Sequence, residues 1–285
     1  MILSQALHSV NHTLSRAKID EAPTEAELLL RHALGISKIQ LYSEPERPLN
    51  TQERKRLQNL VQRRLLHEPT AYISRSCQFY GIDFYIDYRA LIPRPETELL
   101  VEETIEFAHR RFASENEFLI ADIGTGSGVI GISLALALPK ARIYATDISS
   151  SALEVADINR RHHKQVSNRV KLLQGNLLDP LPEPVNIIVA NLPYIKNCEL
   201  WTLSPEIVNF EPIIALASGE DGLDKINCLL HQTPGKIRPG GCIFLEVGQN
   251  QDKAVSSIAN GQFPQAAIEL IPDLGGTNRV VKVML

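Results

Sequence analysis

The chain of 285 residues is long enough for one large domain or two modest ones, and 44% hydrophobic with 22% charged residues is an ordinary balance for a globular protein. No apolar run approaches the ~18–20 residues of a membrane-spanning helix, and Met1-Ile2-Leu3-Ser4-Gln5 lacks the basic region and apolar core of a secretory signal, so a cytoplasmic protein with no membrane partner is expected. The net charge of −4 divides into +3 over residues 1–75 (11 Lys and Arg against 8 Asp and Glu) and −7 over the remainder (18 against 25), which makes the larger part a poor match for a bare phosphate backbone.

The first segment reads as helices. Leu3, Leu7, Val10 and Leu14 share one face at helical spacing. Thr24-Glu25-Ala26-Glu27 follows Pro23 as a capping-box pattern and opens a second helix with the stripe Ala26, Leu29, Leu30, Ala33 and Leu34, which Gly35 stops. Asn50 with Glu53 starts a third, carrying Leu57, Leu60, Val61 and Leu65. Its other face, Arg54, Lys55, Arg56, Arg63 and Arg64, is either a solvated surface or a docking surface for a macromolecular partner. From Cys77 to Asp87 the period changes to two, with Phe79, Ile82, Phe84 and Ile86 alternating with polar or small residues, which predicts a β-hairpin. Leu91-Ile92-Pro93-Arg94-Pro95-Glu96-Thr97-Glu98 is then a loop stiffened by two prolines, holding Arg94 and Glu96 ahead of a helix with Val101, Ile105, Ala108 and Phe112 on one face.

Beyond Glu117 strands and helices alternate. Strands are predicted at 118–123, 141–146, 170–174, 185–190, 242–247 and 279–285, and helices at 129–138, 151–162 and about 223–237. Such alternation implies a mostly parallel sheet with helices on both faces. The four cysteines are scattered, with no ligand spacing among them or the histidines, so they read as reduced thiols and no metal site is expected.

Two stretches carry chemistry. Asp122-Ile123-Gly124-Thr125-Gly126-Ser127-Gly128 lies between a strand and a helix, with the spacing G-x-G-x-G rather than the dinucleotide fingerprint. Asp147 ends the next strand, where an acid accepts hydrogen bonds from ribose hydroxyls. This pair points to an adenosine-containing cofactor, either a nicotinamide dinucleotide or S-adenosylmethionine. Asp122 favours the second, since a carboxylate repels a pyrophosphate and attracts a methionine ammonium or sulfonium. The second stretch, Asn191-Leu192-Pro193-Tyr194, ends the apolar run 185–190 in a proline-stiffened turn, at the strand end where open α/β sheets bind ligands. Glu246, at the end of a later strand, is either a site carboxylate or a satisfied edge group.

The glycine loop with Asp147 resembles that of class I S-adenosylmethionine methyltransferases, and Asn191–Tyr194 resembles the Asn-Pro-Pro-Tyr motif of enzymes that methylate planar, conjugated nitrogens. Leu91–Glu98, Glu211–Leu216 with Asp221-Gly222-Leu223, Asp273–Val281 and Ala26–Gly35 make the whole similar to the release-factor glutamine methyltransferases of the HemK/PrmC type.

The resemblance implies a Rossmann-like class I methyltransferase sheet, mostly parallel with an antiparallel C-terminal strand. It implies a helical substrate-recognition domain over 1–75, a hairpin and proline-rich linker over 76–95 and the catalytic domain over 96–285. It also implies methyl transfer from S-adenosylmethionine to the side-chain amide nitrogen of the Gly-Gly-Gln glutamine of peptide chain release factors. Cofactor contacts are expected at Gly124, Thr125, Gly126, Ser127, Gly128, Asp147, Asn176, Leu177 and Asn191. The catalytic turn is expected at Asn191, Leu192, Pro193 and Tyr194, with the Asn191 side-chain oxygen and the Leu192 carbonyl accepting from the substrate NH₂ and Tyr194 packing on its flat amide. Two positions depart from the family pattern: Leu192 stands where the family usually has Pro, and Ser74 where it has Gly. The Asn-Leu-Pro-Tyr form also resembles that of ribosomal RNA adenine dimethyltransferases, so an adenine amino-group enzyme acting on RNA or DNA is the alternative. The charge balance of residues 76–285 weighs against it, and the glycine spacing weighs against a dehydrogenase.

Overall fold

The computed structural model describes all 285 residues. From the N-terminus run α1 (Leu3–Arg16), α2 (Ala22–Leu34), α3 (Lys38–Ser43), α4 (Thr51–Leu65) and α5 (Thr70–Ser74), then a short antiparallel hairpin of β1 (Cys77–Phe79) and β2 (Ile82–Phe84). The alternating part follows as α6 (Thr97–Arg111), β3 (Phe118–Ile123), α7 (Val129–Ala137), β4 (Ala141–Asp147), α8 (Ser150–His162), β5 (Val170–Gln174) and β6 (Val185–Ala190). It is completed by α9 (Pro205–Phe210), α10 (Asp224–Gln232), β7 (Ile237–Glu246), α11 (Asp252–Gln262), β8 (Ala267–Pro272) and β9 (Asn278–Met284).

The chain forms two compact units. One holds Met1–Ser76 with Ser204–Phe210, and the other Cys77–Leu203 with Glu211–Leu285. In the first, Leu3, Val10 and Leu14 of α1, Leu29 and Leu30 of α2 and Leu57, Leu60 and Val61 of α4 close one apolar core. The helix starts have different chemistry. Asn50 caps α4 as the sequence predicts, its side chain accepting from the Glu53 N–H at 2.8 Å while Glu53 accepts from the Asn50 N–H at 2.9 Å. The α2 start differs: the helix begins at Ala22 with no side-chain cap, because Pro23 in the first turn already supplies the helical φ and needs no N–H partner. Arg64 differs too. It is 2% exposed rather than solvated, and it pairs with Glu25 at 2.9 Å and Glu206 of α9 at 2.6 Å. Two carboxylates flanking one planar guanidinium make its burial tolerable.

The second unit is built on a seven-stranded sheet of order β5-β4-β3-β6-β7-β9-β8, parallel from β5 through β7, with β9 antiparallel to both β7 and β8. Strands β3 and β6 are wholly or almost wholly buried apolar runs, as central parallel strands must be. One sheet face packs Ile120, Ile187, Val189 and Phe244 against Leu100 and Val101 of α6 and Ile130 and Leu134 of α7. The other packs Ile123, Ile188 and Leu245 against Leu229 and Leu230 of α10 and Val255 and Ala259 of α11. Strand β8, absent from the sequence reading, is the sheet's edge. Only Ile271 of its six residues is buried, so it has neither an apolar run nor a clean alternation to announce it.

Candidate active site

The chain leaves β3 toward β4 on one side and returns through β6 on the other, so the crevice of the sheet opens between β3 and β6. Register brings the motifs there. Ile123 pairs with both Thr146 and Ala190, Asp147 pairs with Gln174, and Ala190 pairs with Leu245. Gly124, Asp147, Asn191 and Glu246 therefore stand at neighbouring carboxyl ends of β3, β4, β6 and β7.

A cleft of about 830 Å³, counted to its open mouth, lies over these ends. Its lining includes Gly124 and Gly126, Asp147, Asn176 and Leu177, and Asn191, Leu192 and Pro193. Thr125, Ser127, Gly128 and Tyr194 do not line it. Thr125 and Ser127 are buried beneath the loop, and the Ser127 carbonyl accepts from Asn159 Nδ2 at 2.8 Å. Residues that the sequence did not single out complete the wall, namely Arg89, Ala90, Ile148, Ser149 and Lys225, together with Pro212, Ile214 and Ala215 of the Glu211–Leu216 stretch. Ile148 is 53% exposed directly after the acid that ends β4, an apolar lip whose local signal is that adjacency.

The loop is held by carboxylates. Asp147 Oδ2 accepts from the Gly126 N–H at 2.8 Å and its Oδ1 from the Ser149 N–H at 2.9 Å, while burial raises its pKa. Gly124 has φ +70, and a Cβ there would lie 2.9 Å from Leu192 Cδ2, so only glycine lets the loop lie against the second motif. Asp122 does not face the cleft. It is fully buried behind the loop, where its Oδ2 accepts from Thr125 Oγ1 at 2.6 Å and the Gly131 N–H at 2.9 Å, and burial lifts its carboxyl to about 6 against the pull of those two donors. Its place is structural, a staple from β3 to the first turn of α7. Leu177 takes φ 50 between Asn176 and the core, and its carbonyl accepts from Thr146 Oγ1 at 2.9 Å. A leucine in the left-handed region is strained, and such strain gathers at ligand sites.

At the second motif, the Asn191 side chain makes one hydrogen bond within the protein: Nδ2 donates to Thr97 Oγ1 at 3.0 Å. One of its two N–H donors is thereby engaged, which fixes the turn of the amide, and Oδ1 is left to accept. Leu192 is buried in the core of the α10–α11 face, so its side chain anchors the turn from beneath. Burial pushes the Tyr194 phenol up to about 12, with Glu246 adding to the shift. Glu246 is 2% exposed, and burial raises its carboxyl to about 7 although the Thr97 and Tyr194 hydroxyls and Arg279 draw it down. The stiff loop closes the site from another side. Arg94 pairs with Glu211 at 2.6 Å and donates to the Ile92 carbonyl at 3.0 Å, tying the proline-rich run to the segment Glu211–Ala215 that walls the cleft. Its partner is thus an acid 117 positions away rather than the nearby Glu96.

Residues 5–74 match the family described as the PrmC N-terminal domain, and residues 97–208 the methyltransferase small domain. The chain is 37% identical over 273 residues to the release factor glutamine methyltransferase of Chlorobaculum tepidum, spanning 94% of this chain and 92% of that one. It is 38% identical over 280 residues to the protein of the same name from Moorella thermoacetica, spanning 98% and 97%. Among solved structures, the hMettl16 catalytic domain aligns with a TM-score of 0.57 at 15% identity over 93% of this chain and 92% of that one. A methyltransferase from Pyrococcus furiosus aligns with a TM-score of 0.51 at 15% identity over 78% and 96%. Identities that low speak for the fold alone.

Proposed function

The chain belongs to the release factor glutamine methyltransferases, and on that premise we propose that it moves the methyl group of S-adenosylmethionine to the side-chain amide nitrogen of the Gly-Gly-Gln glutamine in peptide chain release factors. The observation that carries the reading is the state of Asn191. With Nδ2 committed to Thr97, it offers an acceptor at the cleft beside the glycine loop.

An amide nitrogen is a weak nucleophile because its lone pair is shared with the carbonyl. Two acceptors, Asn191 Oδ1 and the Leu192 carbonyl, hold the NH₂ so that the lone pair turns toward the incoming methyl. Pro193 stiffens the turn and Tyr194 packs on the flat amide. S-adenosylmethionine supplies a methyl already activated by its sulfonium, so the protein's main task is placement. The residues fit this cofactor: Gly124, at φ +70 with no Cβ to strike Leu192, lets the loop backbone border the cleft, and Asp147, with Asn176 and Leu177 beside it, faces the cleft where an adenosine would lie. Asp147 keeps acceptor capacity for ribose hydroxyls beyond the backbone N–H groups of Gly126 and Ser149 that it already holds. Thr125, Ser127 and Gly128 shape the loop beneath it.

Residues 1–75 are assigned to release-factor recognition, 76–95 to the linker and 96–285 to catalysis, in the cytoplasm where release factors act; no helix is long and apolar enough to cross a membrane. The test is transfer of labelled methyl to a purified release factor, beside the same factor with the motif glutamine replaced by alanine and an RNA sample. Label in the first alone supports the reading. Label in RNA adenine supports the alternative and overturns it.

A further inference from the structure

Because Ala190 pairs with Leu245, the next residues along β6 and β7, Asn191 and Glu246, stand side by side. Both lie toward the sheet face that carries α6, whose first residue is Thr97. Glu246 is 2% exposed and its Oε2 has no hydrogen-bond partner. A buried carboxylate with an unused oxygen is a costly side chain to keep. Its neighbours are Thr97 and Glu96 at the start of α6, Tyr194 after β6 and Arg279 on β9.

The direction of the hydrogen bonds gives it a use. A hydroxyl has one proton, and the Thr97 oxygen already accepts from Asn191 Nδ2. The Thr97 proton must therefore go elsewhere, and the carboxylate beside it only accepts. The series reads one way: the Thr97 hydroxyl turns its proton to Glu246, lowering the cost of that charge, and its oxygen to the Asn191 amide, so that Asn191 Oδ1 has no bond within the protein.

We propose that Glu246 is a positioning residue for methyl transfer, fixing the Thr97 hydroxyl and through it the face that Asn191 presents to the substrate amide. It rests on the reading of Asn191 as an acceptor. When Glu246 is protonated it becomes a donor itself, Thr97 is freed to donate toward Asn191 Oδ1, and the amide is released to turn its NH₂ toward the substrate NH₂, where two donors meet. Burial places that titration at about 7.

The test measures kcat, and KM for S-adenosylmethionine and for release factor, across pH with the full chain, its Glu246→Gln and Thr97→Val variants and the double variant. Wild type shows kcat rising through one ionisation near 7, with KM for S-adenosylmethionine flat. Glu246→Gln lowers kcat by ~10- to 100-fold, the range for groups that orient a contacting side chain, leaves KM for S-adenosylmethionine unchanged and abolishes the acid limb. Thr97→Val does the same and the double variant is no slower than the worse single one, because the two act in series. Thr97→Ser, which keeps the hydroxyl, restores rate and acid limb, and decides the matter should Glu246→Gln fail to fold. A Glu246→Gln enzyme with wild-type kcat or an intact acid limb, additive losses in the double variant, or a Thr97→Ser enzyme as slow as Thr97→Val overturns the proposal. Absence of transfer by the wild type overturns the proposed function itself, a result distinct from all of these.

Discussion

Replacing Glu246 by glutamine should stabilise the protein while slowing it, and the size of the gain follows from the carboxyl's surroundings. Burial holds its proton from the ordinary 4.5 up to about 7. At about 1.4 kcal/mol per tenfold change in proton affinity, ionising Glu246 in the folded protein costs roughly 3 kcal/mol more than in the unfolded chain. The sign is fixed by linkage: the unfolded chain gives up this proton first, so the folded state loses stability as pH climbs from 4.5 to about 7, and the loss is complete above that. Glutamine has no charge to bury. The variant's stability relative to wild type should thus rise by roughly 3 kcal/mol between about pH 4.5 and about pH 8.5. Asp122, lifted to about 6, contributes a similar slope to both proteins and cancels. Urea unfolding followed by circular dichroism at the two pH values measures the difference. The lone tryptophan, Trp201, is 76% exposed and would report poorly. An offset that does not change with pH would mean that Arg279 and the two hydroxyls already compensate the charge, and would refute the account of Glu246 as a group kept at a cost.

Asn191→Ala should lower kcat by ~10²–10³-fold, the usual loss for one preorganised polar contact to the reacting group, with the S-adenosylmethionine Kd by calorimetry within a few-fold of wild type. Gly124→Ala should weaken S-adenosylmethionine binding about tenfold or more, since it places a Cβ at φ +70 and 2.9 Å from Leu192 Cδ2; titration calorimetry reads it directly, and wild-type affinity would show that the loop is not the cofactor cradle. Arg64→Ala leaves Glu25 and Glu206 facing one another without their cation and should cost about 3–5 kcal/mol in chemical denaturation. Arg64→Met should cost less when Glu206 is replaced by Gln as well.

The central parallel strands were legible because burial on both faces leaves a nearly continuous apolar run, interrupted by Asp122 in Phe118–Ile123 and by Asn186 in Val185–Ala190; the edge strand Val170–Gln174, with Lys171 and Gln174 exposed, also has the predicted bounds. The glycine loop and the Asn191 turn were legible because turn chemistry is local. What stayed hidden depends on distant partners. Thr97 gains its meaning from Asn191, 94 positions on, and Glu246 from a register that a sequence does not print. Arg64 is one of five basic residues on α4 and looks solvated until Glu25 and Glu206 are placed around it. Asp122 reads as a ligand contact from its adjacency to the loop, and only the packing of α7 turns it inward. Strand β8 has an exposed, proline-ended sequence that earns its place from β9 alone.

The most direct measurement is mass spectrometry of the Gly-Gly-Gln peptide from a release factor incubated with S-adenosylmethionine and either the wild-type chain or Asn191→Ala. The account predicts one methyl group on the glutamine side-chain nitrogen with wild type and almost none with the variant. A glutamine left unmethylated by wild type, or methylated equally by both, would contradict it.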